Sequence, residues 1–283
     1  MIPKKIHYCW LSNEKMSNTT IDCMATWRKI LPEYEFILWD TKNFDINSVF
    51  FVKQAYDAGK YALAADYIRL YAIYNEGGIY LDTDVYMLKN FDDLLGYNFF
   101  SSLERDLTTV APDSEYARLL KQNENADYIN SDIKPYEPFG LQAAIFGANA
   151  GTPFIKDCMN WYESNNFLLP NGKSTIDIDL LAPDIYAAIA QNYGFKYILG
   201  FQQLKDNMVI FPADYFPNLA YKIDNAYALH LCENSWQKPG FLIKIYKSIK
   251  HNNFIRSIFK KRKYYDLETQ IKMGGESKYY LSK

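Results

Sequence analysis

Cysteine and histidine are scarce in this chain, four and three among 283 residues. Cys9, Cys23, Cys158 and Cys232 keep no CxxC or zinc-ligand spacing, which excludes a disulfide framework and a structural zinc site and fits a reducing, cytoplasmic setting. Long hydrophobic runs are missing as well. No window approaches the roughly 18 uncharged apolar residues that read as a membrane span. The opening MIPKKIHYCWLSNEKM passes straight into a strand pattern instead of a charged segment followed by an apolar one, so no signal peptide is expected. Excess charge is lacking too: a net charge of −2 creates no field that would gather nucleic acid.

What the chain has in quantity is apolar and aromatic surface. At 49% hydrophobic it can bury a substantial core, and its 25 Tyr and 18 Phe exceed ordinary usage. Tyr-rich surfaces suit sugar stacking and interfaces; a low-GC genome favouring Tyr, Lys, Asn and Ile codons accounts for the same excess. Charge is placed unevenly. Between Lys244 and Lys263 stand eight Lys or Arg residues and no acid, interleaved with Ile245, Ile249, Phe254, Ile255, Ile258 and Phe259. Such a segment can lie on anionic lipid, or it can be a solvated helix packed on the domain.

The pattern along the chain is α/β. KKIHYCWL reads as a strand, NTTIDCMATWRKILPEY as a helix with Thr19 or Thr20 as N-cap and Pro32 beyond its end, and YEFILWD as a second strand. Strand, helix and strand within some 40 residues make a βαβ unit, the mark of a parallel sheet. A helical pattern from 49 to 75 breaks at DAGK, and its second part, YALAADYIRLYAIYNEGG, is the clearest helix, stopped by Gly77 and Gly78. It feeds IYLDTDVYML, read as one strand. Strands are also expected at YNFFSSLE, QAAIFGAN, MVIFPADYFPN and ALHLC, and helices at 152–165 and 182–194. A polar, Tyr-rich insertion separates the strands near 100 and 145. With no internal repeat or low-complexity linker, one compact unit over 1–240 and a basic tail over 241–283 are expected.

Within IYLDTDVYML, Asp82 and Asp84 stand two apart, which on a strand places both carboxylates on one face. They repel and lose hydration unless something neutralises them. A hard divalent cation does so, and binds phosphate oxygens in turn. A bare DxD also arises as two strand-end aspartates solvated in a turn. The preceding helix carries Asp66 and Arg69, three apart and on one face. On a surface that is an ordinary ion pair, but this helix is apolar almost all round, and a buried pair is expensive enough to want a reason.

Three blocks in this order, IPKKIHYCW, ALAADYIRLYAIYNEGGIYLDTDV and ALHLCENSW, resemble the DXD-containing sugar transferases. These include fungal initiating mannosyltransferases, bacterial capsule and lipooligosaccharide enzymes and, more distantly, the catalytic domains of large glucosylating toxins. The resemblance spans roughly 1–110 and 140–240. It implies a GT-A fold, an α/β Rossmann-like mixed sheet with flanking helices and a helical C-terminal tail, in which 1–110 serves mainly the nucleotide sugar and 111–240 mainly the acceptor and metal closure. It further implies metal-dependent transfer, with Mn²⁺ or Mg²⁺, that retains the anomeric configuration.

Residue by residue, the resemblance makes Asp84 a direct metal ligand and turns Asp82 to the ribose and the metal. Asp66 and Arg69 hold the sugar hydroxyls and help neutralise the phosphate, and Trp10 stacks on the base with Ile2, Pro3 and His7 nearby. Two monodentate carboxylates leave octahedral positions open, and His230 falls where the resemblance places a third ligand, although a core histidine satisfied by backbone is the plain alternative. Ser235 and Trp236, with Asn234 beside them, look like the pair near the metal and β-phosphate; Trp236 could equally plug the core. Lys238 is a further candidate at the leaving diphosphate, and Gln142 one on the sugar's reactive face or simply a polar strand end.

The implied donor is a UDP-hexose, galactose or glucose, with GDP-mannose as the alternative. The acceptor is a hydroxyl of a glycan, with a lipid-linked one in bacterial surface polysaccharide synthesis at the inner face of the membrane fitting the basic tail. Two other classes stay open: a metal-dependent phosphohydrolase, whose additional carboxylate or His clusters are missing here, and a non-catalytic glycan- or lipid-binding protein with a relic DxD.

Overall fold

The computed structural model describes residues 1–104, 140–169, 171–175, 180–198, 200–217 and 225–232. The expected insertion after 111, residues 233–240 and the basic tail lie outside them.

The βαβ opening forms as its pattern predicts. β1 (Lys5–Cys9), α1 (Asn18–Ile30) and β2 (Glu35–Trp39) place β1 and β2 parallel and in register from Lys5 opposite Glu35 to Cys9 opposite Trp39. The α1 cap is Ser17, not Thr19 or Thr20: its extended backbone lets Oγ accept the Thr20 N–H at 3.0 Å. Arg28 and Lys29 occupy the last turn, where cations suit the helix dipole, and Pro32 follows the end.

α2 (Phe50–Asp57) and α3 (Tyr61–Glu76) come next, broken at the expected point. Gly77 ends α3 with φ +63, a left-handed conformation that favours glycine, and a Cβ there would lie 2.8 Å from the Ala150 backbone nitrogen. The remaining elements are β3 (Gly78–Leu81), β4 (Val85–Met87), β5 (Phe99–Glu104), β6 (Gly140–Leu141), β7 (Ile145–Ala148), α4 (Pro153–Ser164), α5 (Ala182–Ala190), β8 (Gln202–Gln203), β9 (Met208–Phe211) and β10 (Ala228–His230).

The main sheet is mixed, in the order β2-β1-β3-β7-β5-β9-β8, with β6 beside β5. β1 pairs parallel with β2 and β3, and β5 with β9, while β7 runs antiparallel between β3 and β5. Alternation along the strands divides the core in two. Tyr80, Phe99, Phe146, Met208 and Ile210 face α2 to α5; Ile79, Leu81, Phe100, Ile145, Val209 and Phe211 face Trp27, Phe91 and Phe216.

One expected strand does not exist as such. IYLDTDVYML is two strands joined by a tight turn: Asp82 N–H still donates to the Ala144 carbonyl at 2.9 Å, and Val85 N–H then turns back onto the Asp82 carbonyl at 3.0 Å. β4 leaves the main sheet and pairs antiparallel with β10 in a ribbon of its own. Two aspartates flanking a threonine are poor strand residues and good turn residues, so the turn wins locally. Asp82 and Asp84 therefore project from a turn at the C-terminal edge of β3, not from one face of a strand.

The centre of the sheet has no spare volume. A Cβ on Gly147 would lie 2.5 Å from Phe100 Cε1 and 3.1 Å from Ile79 Cγ1, whereas one on Gly96 would meet nothing within 4 Å. Gly147→Ala is expected to cost about 1–3 kcal/mol in urea unfolding, and Gly96→Ala to be neutral or slightly stabilising. Equal midpoints for the two variants would contradict this packing.

Candidate active site

The site begins with α3. Because that helix is packed on nearly every side, Asp66 and Arg69 are only 7% and 4% exposed. Arg69 Nη2 lies 2.8 Å from Asp66 Oδ1 and 3.5 Å from Asp82 Oδ1, and Nη1 donates to the Ala143 carbonyl at 2.8 Å. The guanidinium carbon stands 4.8 Å from the centre of the Tyr80 ring, and the Tyr80 hydroxyl donates to Asp82 Oδ1 at 2.8 Å. From α5, the Tyr186 hydroxyl donates to the Asp66 carbonyl at 3.4 Å. One buried cation thus ties α3, the end of β3 and the start of β7 together. Its Nε has no hydrogen-bond partner among the described residues.

Electrostatics follow from that burial. Desolvation pushes the Asp66 carboxyl up to about 7 against the pull of Arg69. Burial also opposes the guanidinium's charge, but Asp82, Tyr80 and Asp66 outweigh it and hold Arg69 well above its ordinary value.

The second cluster is assembled by the β4–β10 ribbon. His230 is registered opposite Val85, Leu231 N–H donates to the Asp84 carbonyl at 3.1 Å, and His230 Nε2 lies 3.5 Å from Asp84 Oδ1. Ligand atoms of Asp82, Asp84 and His230 all lie within 4.8 Å of one another. This donor set fits a divalent cation: two hard carboxylates and one imidazole, spread slightly wider than the ligands of an ion with bonds of about 2.1 Å. An imidazole among oxygens favours Mn²⁺ over Mg²⁺. Burial lowers the His230 pKa, yet the hydrogen bonds with Asp84 and Cys232 raise it well above the ordinary value, so a proton and a cation compete for Nε2. Cys232 Sγ sits 3.5 Å from Nδ1, on the side of the ring away from Asp84.

Both clusters open on one cavity of about 460 Å³, a size that suits a small organic ligand. Trp10, Asp66, Arg69, Asp82, Asp84, Gln142 and His230 all line it. Trp10 stands at the C-terminal end of β1 with its indole N–H on the Glu14 carbonyl at 3.2 Å. Gln142 is occupied structurally: Oε1 accepts the Ala144 N–H at 2.9 Å and Nε2 donates to the Phe216 carbonyl at 3.3 Å.

Ile2, Pro3 and His7 do not belong to the site, contrary to the sequence reading. Ile2 and Pro3 precede β1 while Trp10 follows it, a separation on the order of 20 Å along an extended chain. Ile2 is core, its N–H on the Leu95 carbonyl, and Pro3 packs on Gly77. His7 accepts the Trp39 indole N–H at Nδ1 and therefore donates from Nε2 to the Gly77 carbonyl; burial depresses its pKa, so it is a neutral core histidine. Asn234, Ser235, Trp236 and Lys238 lie outside the described residues. Tyr80, Tyr186, Cys232 and Glu104 belong to the site and were not singled out beforehand; only Tyr80, two before Asp82, carried a local signal.

Residues 17–101 match a family model described as "Glycosyltransferase sugar-binding region containing DXD motif". This segment is similar to the sugar-binding region of the DXD-motif glycosyltransferases. Over 100 residues the chain is 33% identical to inositol phosphoceramide mannosyltransferase 3 of Schizosaccharomyces pombe, covering 34% of this chain and 28% of that protein. Over 104 residues it is 34% identical to glucan organizing enzyme 1 of Cryptococcus neoformans var. grubii, covering 37% and 22%. It therefore spans about a quarter of the length of these two curated relatives. Among solved structures, PaToxG glycosyltransferase is similar at 18% identity over 68% of this chain and 69% of that one, TM-score 0.45. Mouse xyloside xylosyltransferase 1 is similar at 10% identity over 82% and 99%, TM-score 0.44.

The raised pKa of Asp66 has a consequence for the stability of the chain. Its folded state holds that proton more tightly than the unfolded chain, so this contribution is full below the ordinary value of 3.8 and is lost as pH rises through about 7. His230 acts in the same sense and His7 in the opposite one. In urea unfolding with a chelator present, Asp66→Asn is expected to flatten the loss of stability between about pH 5 and pH 8. A slope equal to that of the unaltered protein would contradict it.

Proposed function

We propose that this protein transfers a sugar from a nucleoside diphosphate sugar to a hydroxyl group, assisted by a divalent cation held by Asp82, Asp84 and His230. The observation that carries this is convergence: the Arg69 cluster and the Asp82, Asp84, His230 group share Asp82 and line one cavity.

The chemistry needs such an arrangement. Breaking the bond between C1 and the diphosphate leaves negative charge on the departing oxygens, and a bound cation supplies Lewis-acid stabilisation for it. Arg69 adds a positive charge already fixed by Asp66 and the Ala143 carbonyl, so it need not reorganise during the reaction. Asp66 and Asp82 accept hydrogen bonds from sugar or ribose hydroxyls, and the Trp10 indole offers a flat apolar wall to a base. Ser235, Trp236, Asn234 and Lys238 follow His230 closely enough in sequence to complete the diphosphate contacts.

Donor, stereochemistry and setting are finer points of the same reading. UDP-glucose or UDP-galactose is the first donor by the Trp10 wall, and GDP-mannose the second, favoured by the mannosyltransferase names of the fission yeast relatives. Transfer proceeds with retention by front-side attack, onto a glycan hydroxyl that the basic tail brings to an anionic membrane surface. Among the described residues no helix is long and apolar enough to cross a membrane.

A thermal-shift series with Mn²⁺ and each of the three nucleotide sugars tests the proposal. Ligand at about 100 times its Kd adds roughly 2.7 kcal/mol, a rise of several degrees in Tm. Asp84→Ala is expected to abolish the donor-dependent rise while leaving the circular dichroism unchanged. No rise with any donor sinks the proposal; a rise with GDP-mannose alone selects the second donor.

A further inference from the structure

Besides the exposed Glu14, the cavity is lined by a carboxylate that neither cluster uses. Glu104 is the last residue of β5, partly buried, and lines the cavity with Asp82 and Arg69. Strand order places it. β3 and β5 both run antiparallel to β7 between them, so their C-terminal ends leave the sheet at the same edge. Leu81 and Ile145 are paired on one side of β7, and Gln142 N–H donates to the Ser102 carbonyl on the other. Two strand spacings therefore separate Asp82 from Glu104, on the order of 10 Å. The floor between them is Gln142, Ala143 and Ala144, with the Arg69 guanidinium bonded to the Ala143 carbonyl.

This position is rigid. Glu104 pairs with Gly140 in β6, and a Cβ on Gly140 would lie 2.7 Å from the Pro183 carbonyl carbon, so β6 and the start of α5 are in close contact. Among the described residues the Glu104 carboxylate makes no hydrogen bond or ion pair. Burial pushes its pKa up to about 7; His230 and Arg69 pull the other way, and Asp184 and Asp82 add to the rise. A desolvated carboxylate that lines a ligand cavity and has no partner among the described residues has the surroundings of a group that exchanges a proton.

We propose that Glu104 is the acceptor-side catalytic residue, hydrogen-bonding the attacking hydroxyl from across the floor that separates it from Asp82 and taking its proton. This rests on the sugar-transfer reading and adds the group that reading leaves unassigned. The hydroxyl oxygen forms its bond to C1, the bond from C1 to the diphosphate breaks and its electron pair leaves with the diphosphate, and the hydroxyl proton moves to Glu104 and from there to solvent.

The test uses the full chain with Mn²⁺ and the three nucleotide sugars, with water as the simplest acceptor, reading release of nucleoside diphosphate and the donor-dependent thermal shift together. Glu104→Gln keeps shape and removes the basic oxygen. It is expected to keep the donor-dependent shift and to lose roughly a hundred- to ten-thousandfold in turnover, with partial recovery in Glu104→Asp. Turnover of the Gln variant within about twofold of the unaltered protein overturns the assignment. Loss of the shift together with turnover overturns it too, and moves Glu104 into the donor site. An unaltered protein that neither shifts nor turns over any donor sinks the sugar-transfer reading and this one with it. Circular dichroism and a urea midpoint at or above that of the unaltered protein establish that the Gln variant is folded, and the Asp variant carries the comparison otherwise.

Discussion

Everything in the site leans on one buried cation. Arg69 sits 2.8 Å from Asp66 and 3.5 Å from Asp82, donates to the Ala143 carbonyl and stacks over Tyr80. Those partners come from α3, the β3 turn and the segment entering β7, so the cation fastens the helix to two strand ends that the sheet already pairs. An uncompensated guanidinium at that depth would cost several kcal/mol, so the carboxylates around it are obligatory once it is there. The same pair of carboxylates then has little freedom, which is what a site that must hold a ligand to within a fraction of an ångström requires.

The small ribbon does for the cation site what Arg69 does for the clamp. β4 leaves the main sheet immediately after Asp84, and its antiparallel partner β10 returns His230 from far along the chain to within 3.5 Å of that aspartate. Backbone pairing fixes the approach, since the Leu231 N–H is bonded to the carbonyl of Asp84 itself. A break in the strand, which looks like a defect in the sheet, is thus the event that creates a three-ligand group.

Much of this was legible in the residues, for definite reasons. Asp66 and Arg69 stood out because a helix apolar almost all round cannot put a charge at the surface, and His230 because the resemblance to DXD sugar transferases implied a third ligand there. The stop at Gly77 was readable because glycine there takes a left-handed backbone. Other features depended on neighbours that sequence does not reveal. The β3 turn lost to an apolar pattern that ran through it, and the α1 cap fell to Ser17 because entry geometry chooses among adjacent hydroxyls. Ile2 and Pro3 were grouped with Trp10 by closeness in sequence, which an extended strand turns into distance. Glu104 was invisible, since its meaning comes only from β7 being inserted between β3 and β5.

The charge balance of the cavity sets an order of events. Leaving aside the exposed Glu14 and Lys15, Asp66, Asp82, Asp84 and Glu104 face Arg69 and His230 in the interior of the cavity, four carboxyl groups against one permanent cation and one imidazole. Two unit charges 4 Å apart interact by about 4 kcal/mol at the effective dielectric of a protein surface, so a bare diphosphate approaching these aspartates meets repulsion that Arg69 alone does not cancel. A divalent cation held by Asp82, Asp84 and His230 would reverse the local sign, and the same aspartates would then anchor an anion instead of repelling it. Such a cation would also draw the nearby carboxyl groups of Asp66 and Glu104 toward their ionised forms. On the proposed reading the cation would arrive before the diphosphate or together with it, because the acidic residues that would hold a sugar also oppose an uncomplexed anion.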